Sequence, residues 1–154
     1  MGSTLPKQLE IRTVFEPVTG TWQYIIADPE THEAAIIDSV LDFDPSNSRI
    51  STASADNLLS IIAQNNLKPI LIMETHAHAD HLTASRYLQQ KLTQLGHPRP
   101  KITIGKRITQ VQATFSKKYN IPASELENVF DHLWDDNEKF SIGSLSGSVL
   151  RLHL

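Results

Sequence analysis

Residues 69–81 read Pro69-Ile70-Leu71-Ile72-Met73-Glu74-Thr75-His76-Ala77-His78-Ala79-Asp80-His81. The first five are too few and too apolar for a surface helix. They predict a buried parallel strand, because strands covered on both faces carry unbroken apolar runs. The last six hold four metal-ligand side chains, including three of the chain's seven histidines. Shuffling a chain of this composition would produce that spacing on the order of once in a thousand trials. A strand that stops just before such a cluster places it on a loop at the strand's carboxyl end, where open α/β sheets bind ligands. In extended backbone alternate residues point the same way, so His76 and His78 can grip one ion together. Asp80 and His81 sit where the chain turns and can face a second ion or support the first. Asp80 can equally cap the helix that follows.

Outward from this stretch the pattern is α/β. Residues 9–17, 22–28 and 34–38 predict three strands, the first two joined by a tight turn at Val18-Thr19-Gly20. Residues 42–52 are polar and read as a loop. A helix starts near Ser54, where Leu58, Leu59, Ile61 and Ile62 share one 3.6-period face. A second helix is expected over 82–95, with Ala84, Leu88, Leu92 and Leu95 inward and Gly96 as its stop. Residues 101–104 form a short strand. Ile108, Val111, Phe115 and Tyr119 mark a third helix, ended by Asn120 and Pro122. Residues 139–142 and 148–154 read as two strands around a Gly/Ser-rich turn. Strands alternating with helices after an antiparallel start predict a mixed sheet. No linker composition divides the chain, so residues 9–154 are expected to be one domain behind a flexible 1–8.

Composition narrows the chemistry. The 154 residues suffice for one domain and carry a formal charge of −3. With no cysteine, disulfides, thiolate ligands and a Cys nucleophile are excluded, and any metal site must use His, Asp and Glu. No run approaches the roughly 20 apolar residues of a membrane span. The N-terminal residues lack the apolar core of a secretory signal, so a cytoplasmic location is expected, with the mitochondrion as the alternative. The charge is uneven: residues 81–124 contain no Asp or Glu and carry +8, leaving −11 on the other 110 residues. This basic stretch, with Arg86, Lys106 and Arg107, either attracts an anionic small molecule or forms solvated helix faces. No aromatic residues interleave it, which argues against nucleic acid.

Other candidates carry weaker signals. His32, His97 and His132 lie in predicted turns or beside acids and are expected to face solvent. His153 reads as a strand residue. Asp38 ends an apolar strand and can either hydrogen-bond a liganding histidine or cap the next turn. Glu74 and Thr75 flank the cluster, where they can satisfy local backbone groups.

His76-Ala77-His78-Ala79-Asp80-His81, set between Met73 and Leu82, resembles the His-x-His-x-Asp-His signature of the metallo-β-lactamase superfamily. Thr52-Ala53-Ser54-Ala55-Asp56, the segment from Ile104 to Gln112, Phe130-Asp131-His132-Leu133 and Phe140-Ser141-Ile142-Gly143 are similar to its persulfide dioxygenase-like branch, related to hydroxyacylglutathione hydrolase. The resemblance runs from about residue 14 to 154.

That resemblance implies an αββα sandwich, with metal between the sheet edges, of which this chain supplies the first half to two-thirds. In the dinuclear zinc hydrolases His76 and His78 would serve one Zn(II), and Asp80 and His81 the second, with a bridging hydroxide as nucleophile; Asp80 is a catalytic candidate only in that case. In the persulfide dioxygenases a single Fe(II) would take only His76 from the motif, leaving His78, Asp80 and His81 around it. The implied substrate is a small glutathione-type anion: glutathione persulfide, oxidised to sulfite and glutathione, or a hydroxyacylglutathione thioester. Family members continue beyond the position of Leu154 into Pro-Gly-His-Thr and later ligands. The resemblance therefore implies a truncated site and a third reading, a non-catalytic fragment.

Overall fold

The computed structural model describes residues 8–152; His153 and most of the expected flexible start lie outside them. The chain opens with β1 (Glu10–Glu16), β2 (Thr21–Ala27), β3 (Glu33–Ile37), β4 (Val40–Asp44), β5 (Arg49–Ser51) and α1 (Ala53–Gln64). It continues through β6 (Lys68–Met73), β7 (Leu82–Thr83), α2 (Ser85–Gln94), β8 (Lys101–Gly105) and α3 (Ile108–Tyr119). It closes with α4 (Ala123–Leu126), β9 (His132–Trp134), β10 (Lys139–Ile142) and β11 (Leu145–Ser148).

A six-stranded sheet in the order β1-β2-β3-β6-β8-β9 is the frame. Its first three strands pair antiparallel and the rest parallel. Residues of successive sign along β3 face opposite sides, as the period of two requires. Ala34 and Ile36 join Ile25, Ile72 and Ile102 in a core with Leu58 and Ile62 of α1 and Leu88 and Leu92 of α2. Ala35 faces the other side, with Leu71 and Ile142, where β10 and β11 pack as a hairpin. A smaller sheet, β5-β4-β7, adjoins the frame. This is the mixed α/β architecture expected from the sequence, with a helix layer, a sheet and a hairpin on the sheet's second face. Among the described residues no helix is long and apolar enough to cross a membrane.

Five local expectations are corrected. The 42–52 loop is instead the β4–β5 hairpin, whose turn is closed by Asp44 accepting from Ser46 N (2.9 Å) and Asn47 Nδ2 (2.8 Å). The second helix starts at Ser85 rather than 82, because Leu82 and Thr83 pair with Leu41 and Val40. Leu95 lies at its C-cap, 66 % exposed, and is not part of the buried stripe. The last strand is 145–148, turning two residues after Ile142. His132 is half-buried in β9 and bonds Glu138 Oε1 through Nε2 (2.7 Å). The α3 stripe exists, yet no residue of that helix is buried.

Candidate metal centre

Parallel pairing of β3 with β6 decides which side chains meet. Ile37 lies opposite Met73, Asp38 N donates to Met73 O (3.0 Å), and Glu74 N donates to Thr103 O (2.9 Å). Asp38 therefore emerges beside the start of the 74–81 loop. The loop's other end runs into β7, which pairs with β4. Both ends are thus tied to one continuous run of chain, β3 through β4. Asp38 itself has φ +52°, a left-handed conformation that Asp tolerates better than most residues.

Hydrogen-bond partners dictate the histidine tautomers. A carboxylate only accepts, so Thr75 Oγ1 donates its proton to Asp38 Oδ2 (2.6 Å). The same hydroxyl must then accept from His76 Nδ1 (2.8 Å), which leaves the His76 Nε2 lone pair available. His78 Nε2 donates to Glu74 Oε2 (2.7 Å) and Asp38 Oδ1 (3.1 Å), so Nδ1 is its outward atom. His81 Nδ1 donates to Leu82 O (2.9 Å), leaving Nε2. The His78 Nδ1 and His81 Nε2 atoms are buried without a hydrogen-bond partner among the described residues. Buried polar atoms are seldom left so.

The side chains of the loop cluster. Asp38, His76 and His78 offer ligand atoms within 4.8 Å of one another, and so do His78, Asp80 and His81. The rings of His76 and His78 are 4.4 Å apart and those of His78 and His81 4.2 Å. Asp80 Oδ1 stands 3.8 Å from His78 Nδ1. Imidazole and carboxylate ligand atoms clustered this closely suit a zinc- or iron-class cation.

Burial alone would push the His78 imidazole down, but its hydrogen bonds to Asp38 and Glu74, and their charges, outweigh this and raise it to about 10. Asp38 answers in the opposite sense. Its burial favours the neutral acid, but His78 and Thr75 hold it below the usual carboxylate range. Without an ion, a proton on His78 compensates two nearby carboxylates; a metal at Nδ1 would replace that proton.

The remaining sequence candidates fall as follows. Asp80 does not cap α2, which begins five residues later behind β7. Arg86 donates to the carbonyls of Val129 (3.3 Å) and Asn128 (3.5 Å), and Lys106 pairs with Asp135 (3.1 Å). Arg107 sits at the N-cap of α3. Sequence alone assigns Glu74 only a local backbone role, but it is buried and bonds His78, Thr83 and Ser85. An acid closing an otherwise apolar strand was the available signal.

No family model matches the chain. Among curated proteins it is 40 % identical over 140 residues to a probable metallo-hydrolase of Burkholderia pseudomallei, covering 90 % of this chain and 46 % of that one. It is 40 % identical over 147 residues to glyoxylase B2 of Dictyostelium discoideum, covering 93 % and 47 %. A mitochondrial persulfide dioxygenase of Homo sapiens is 34 % identical over 82 residues, covering 53 % and 28 %. The chain spans less than half the length of these relatives. Among solved structures a metallo-β-lactamase of Staphylococcus aureus superposes with a TM-score of 0.63 at 18 % identity, covering 92 % of this chain and 33 % of that one. With curated hydrolase-type relatives over about 90 % of its length and the fold of its structural neighbours, the chain belongs to the metallo-β-lactamase superfamily.

Proposed function

We propose that the 74–81 loop is the metal-binding loop of a persulfide dioxygenase-like enzyme, which converts glutathione persulfide, dioxygen and water to glutathione and sulfite. The similarity to a persulfide dioxygenase, together with a loop in which His78 Nδ1 and His81 Nε2 have no hydrogen-bond partner among the described residues, carries this reading. In it His76 is the ligand this loop gives to a single iron, and His78, Asp80 and His81 surround it. A bound Fe(II) would supply Lewis acidity and electron transfer with dioxygen. The chain's own residues orient the site: Asp38 holds His76 through Thr75, and Glu74 holds His78. Exposed Arg107, with Lys106 and Arg86, raises the local concentration of an anionic glutathione substrate.

A second reading, a dinuclear zinc hydrolase of hydroxyacylglutathione thioesters, is favoured by the His78–Asp80–His81 group and by the hydrolase relatives. There His76 and His78 hold one ion, and Asp80 and His81 the other. A cytoplasmic location suits either reading; the human relative points to the mitochondrion as the alternative. Loading the protein with Fe(II) or Zn(II) and offering it both substrates separates the two. Oxygen uptake with glutathione persulfide supports the first. Thioester hydrolysis without oxygen uptake transfers the assignment to the second, and neither activity overturns both.

A further inference from the structure

We infer that Glu74 is the positioning residue that commits His78 to bind a metal through Nδ1, a role resting on the second reading above, in which His76 and His78 share one Zn(II). Two carboxylates reach His78 Nε2, and the geometry divides their work. Asp38 Oδ1 already accepts Thr75 N (2.8 Å) and Oδ2 accepts Thr75 Oγ1 (2.6 Å), so its stronger commitment is to the Thr75–His76 arm. Its approach to His78 is 3.1 Å. Glu74 Oε2 comes to 2.7 Å, with only 2 % of the side chain exposed. Its other oxygen accepts the hydroxyls of Thr83 and Ser85. Those two residues belong to β7 and the first turn of α2, so the carboxylate is clamped between the end of β6 and the elements that follow the loop. It cannot swing away from His78 without breaking both hydroxyl bonds. Each motif histidine at the strand end thus has its own acid: Asp38 through Thr75 for His76, and Glu74 directly for His78. A fixed ring with its far nitrogen proton held by a carboxylate is what makes imidazole a well-aimed and more basic ligand.

The test compares Glu74→Met, which keeps the length and loses the acceptor, with Glu74→Gln, which keeps a neutral acceptor. Zn(II) affinity is measured by chelator competition, and the His78 Nε2–H proton is followed by 15N-edited NMR of the metal-free protein. The expected result is a 10- to 100-fold loss of affinity in Glu74→Met, largely restored in Glu74→Gln. The slowly exchanging Nε2–H signal should vanish in the former and persist in the latter. Thr83→Val combined with Ser85→Ala unclamps the carboxylate without touching it and should give a smaller loss of the same kind, which covers the case in which Glu74→Met fails to fold. Unchanged affinity and an unchanged Nε2–H signal in Glu74→Met would overturn the inference and assign the role to Asp38. If the unaltered protein binds no Zn(II), the zinc reading fails, while the NMR signal still decides whether Glu74 holds His78.

Discussion

Asp28 and Asp38 follow adjacent antiparallel strands and so lie at opposite ends of the same sheet, one after β2 and the other after β3. Both are largely buried. Asp28 accepts from Ser144 N (2.7 Å), Thr31 Oγ1 (2.9 Å) and Glu30 N (3.1 Å). Next to it Gly143 N donates to Glu33 Oε2 (2.8 Å), so the two acids fasten the β10–β11 turn to the sheet. The donors to Asp28 and Glu33 there are neutral N–H and O–H groups of tight turns. At the other end Asp38 and Glu74 hold His78, whose Nδ1 has no hydrogen-bond partner among the described residues, within a cluster of possible metal ligands. The lesson is that a buried carboxylate says little by itself. What its donors leave unsatisfied separates a staple from a binding site.

The widest separation of the two ends should come from the ligands. Replacing His76 with Ala is expected to weaken Zn(II) or Fe(II) binding by more than about 100-fold, and replacing His78 to do the same for Zn(II), since a direct ligand outweighs an orienting partner. Chelator competition reads this directly. Changes at Asp28 should leave the affinity untouched; a matching loss there would mean that the two ends act as one unit.

The reverse experiment targets the staple. Gly143 has φ +57°, and a Cβ there would overlap Thr31 Oγ1 and Asp28 Oδ2. Gly143→Ala therefore combines a strained backbone with a forced opening of the turn, and about 1–3 kcal/mol of stability should be lost. Urea unfolding of the metal-free protein measures it. Metal affinity per folded molecule should stay unchanged, and a drop in that affinity would show that the hairpin's seat shapes the loop at the far end.

How much of each end could be read from sequence follows from the same geometry. His76, His78, Asp80 and His81 are neighbours in the chain, and the apolar run before them fixes a strand end, so the loop and its chemistry were legible. The partnership of Asp38 with His78 was legible only as an option, because it depends on Ile37 pairing with Met73. Glu74, Thr83 and Ser85 were not legible as a cluster: β7 interrupts what the pattern predicts as helix, and only its pairing with β4 brings Thr83 beside Glu74. The staple was invisible for a similar reason, since Asp28 and Ser144 are 116 residues apart. On α3 the 3.6-residue stripe is real, but Phe115 and Tyr119 remain 49 % and 56 % exposed. Periodicity identifies a helix and its apolar face; it does not supply the surface that would cover that face.

The smallest effect should appear in the pH dependence of stability, where the two ends titrate on opposite limbs. The N–H of Ser144 first, and then the Glu30 N–H and Thr31 hydroxyl against the opposing cost of burial, pull Asp28 down to about 2. A carboxyl depressed in the folded state stabilises fully above its unfolded value near 4, and that contribution fades as pH falls from about 4 toward 2. His78 is raised from 6.5 to about 10, so its contribution is complete below 6.5 and fades as pH rises through that window. In the metal-free protein Asp28→Asn should flatten the acid limb of the urea midpoint and leave the alkaline limb alone; His78→Gln should do the opposite. Metal affinity should climb by up to about tenfold per unit as pH rises toward about 10, because Nδ1 must lose its proton to bind. Its slope should survive Asp28→Asn. If Asp28→Asn altered the alkaline limb, or the affinity were flat with pH, the division between a closed staple and an open ligand cluster would fail at its charge-based root.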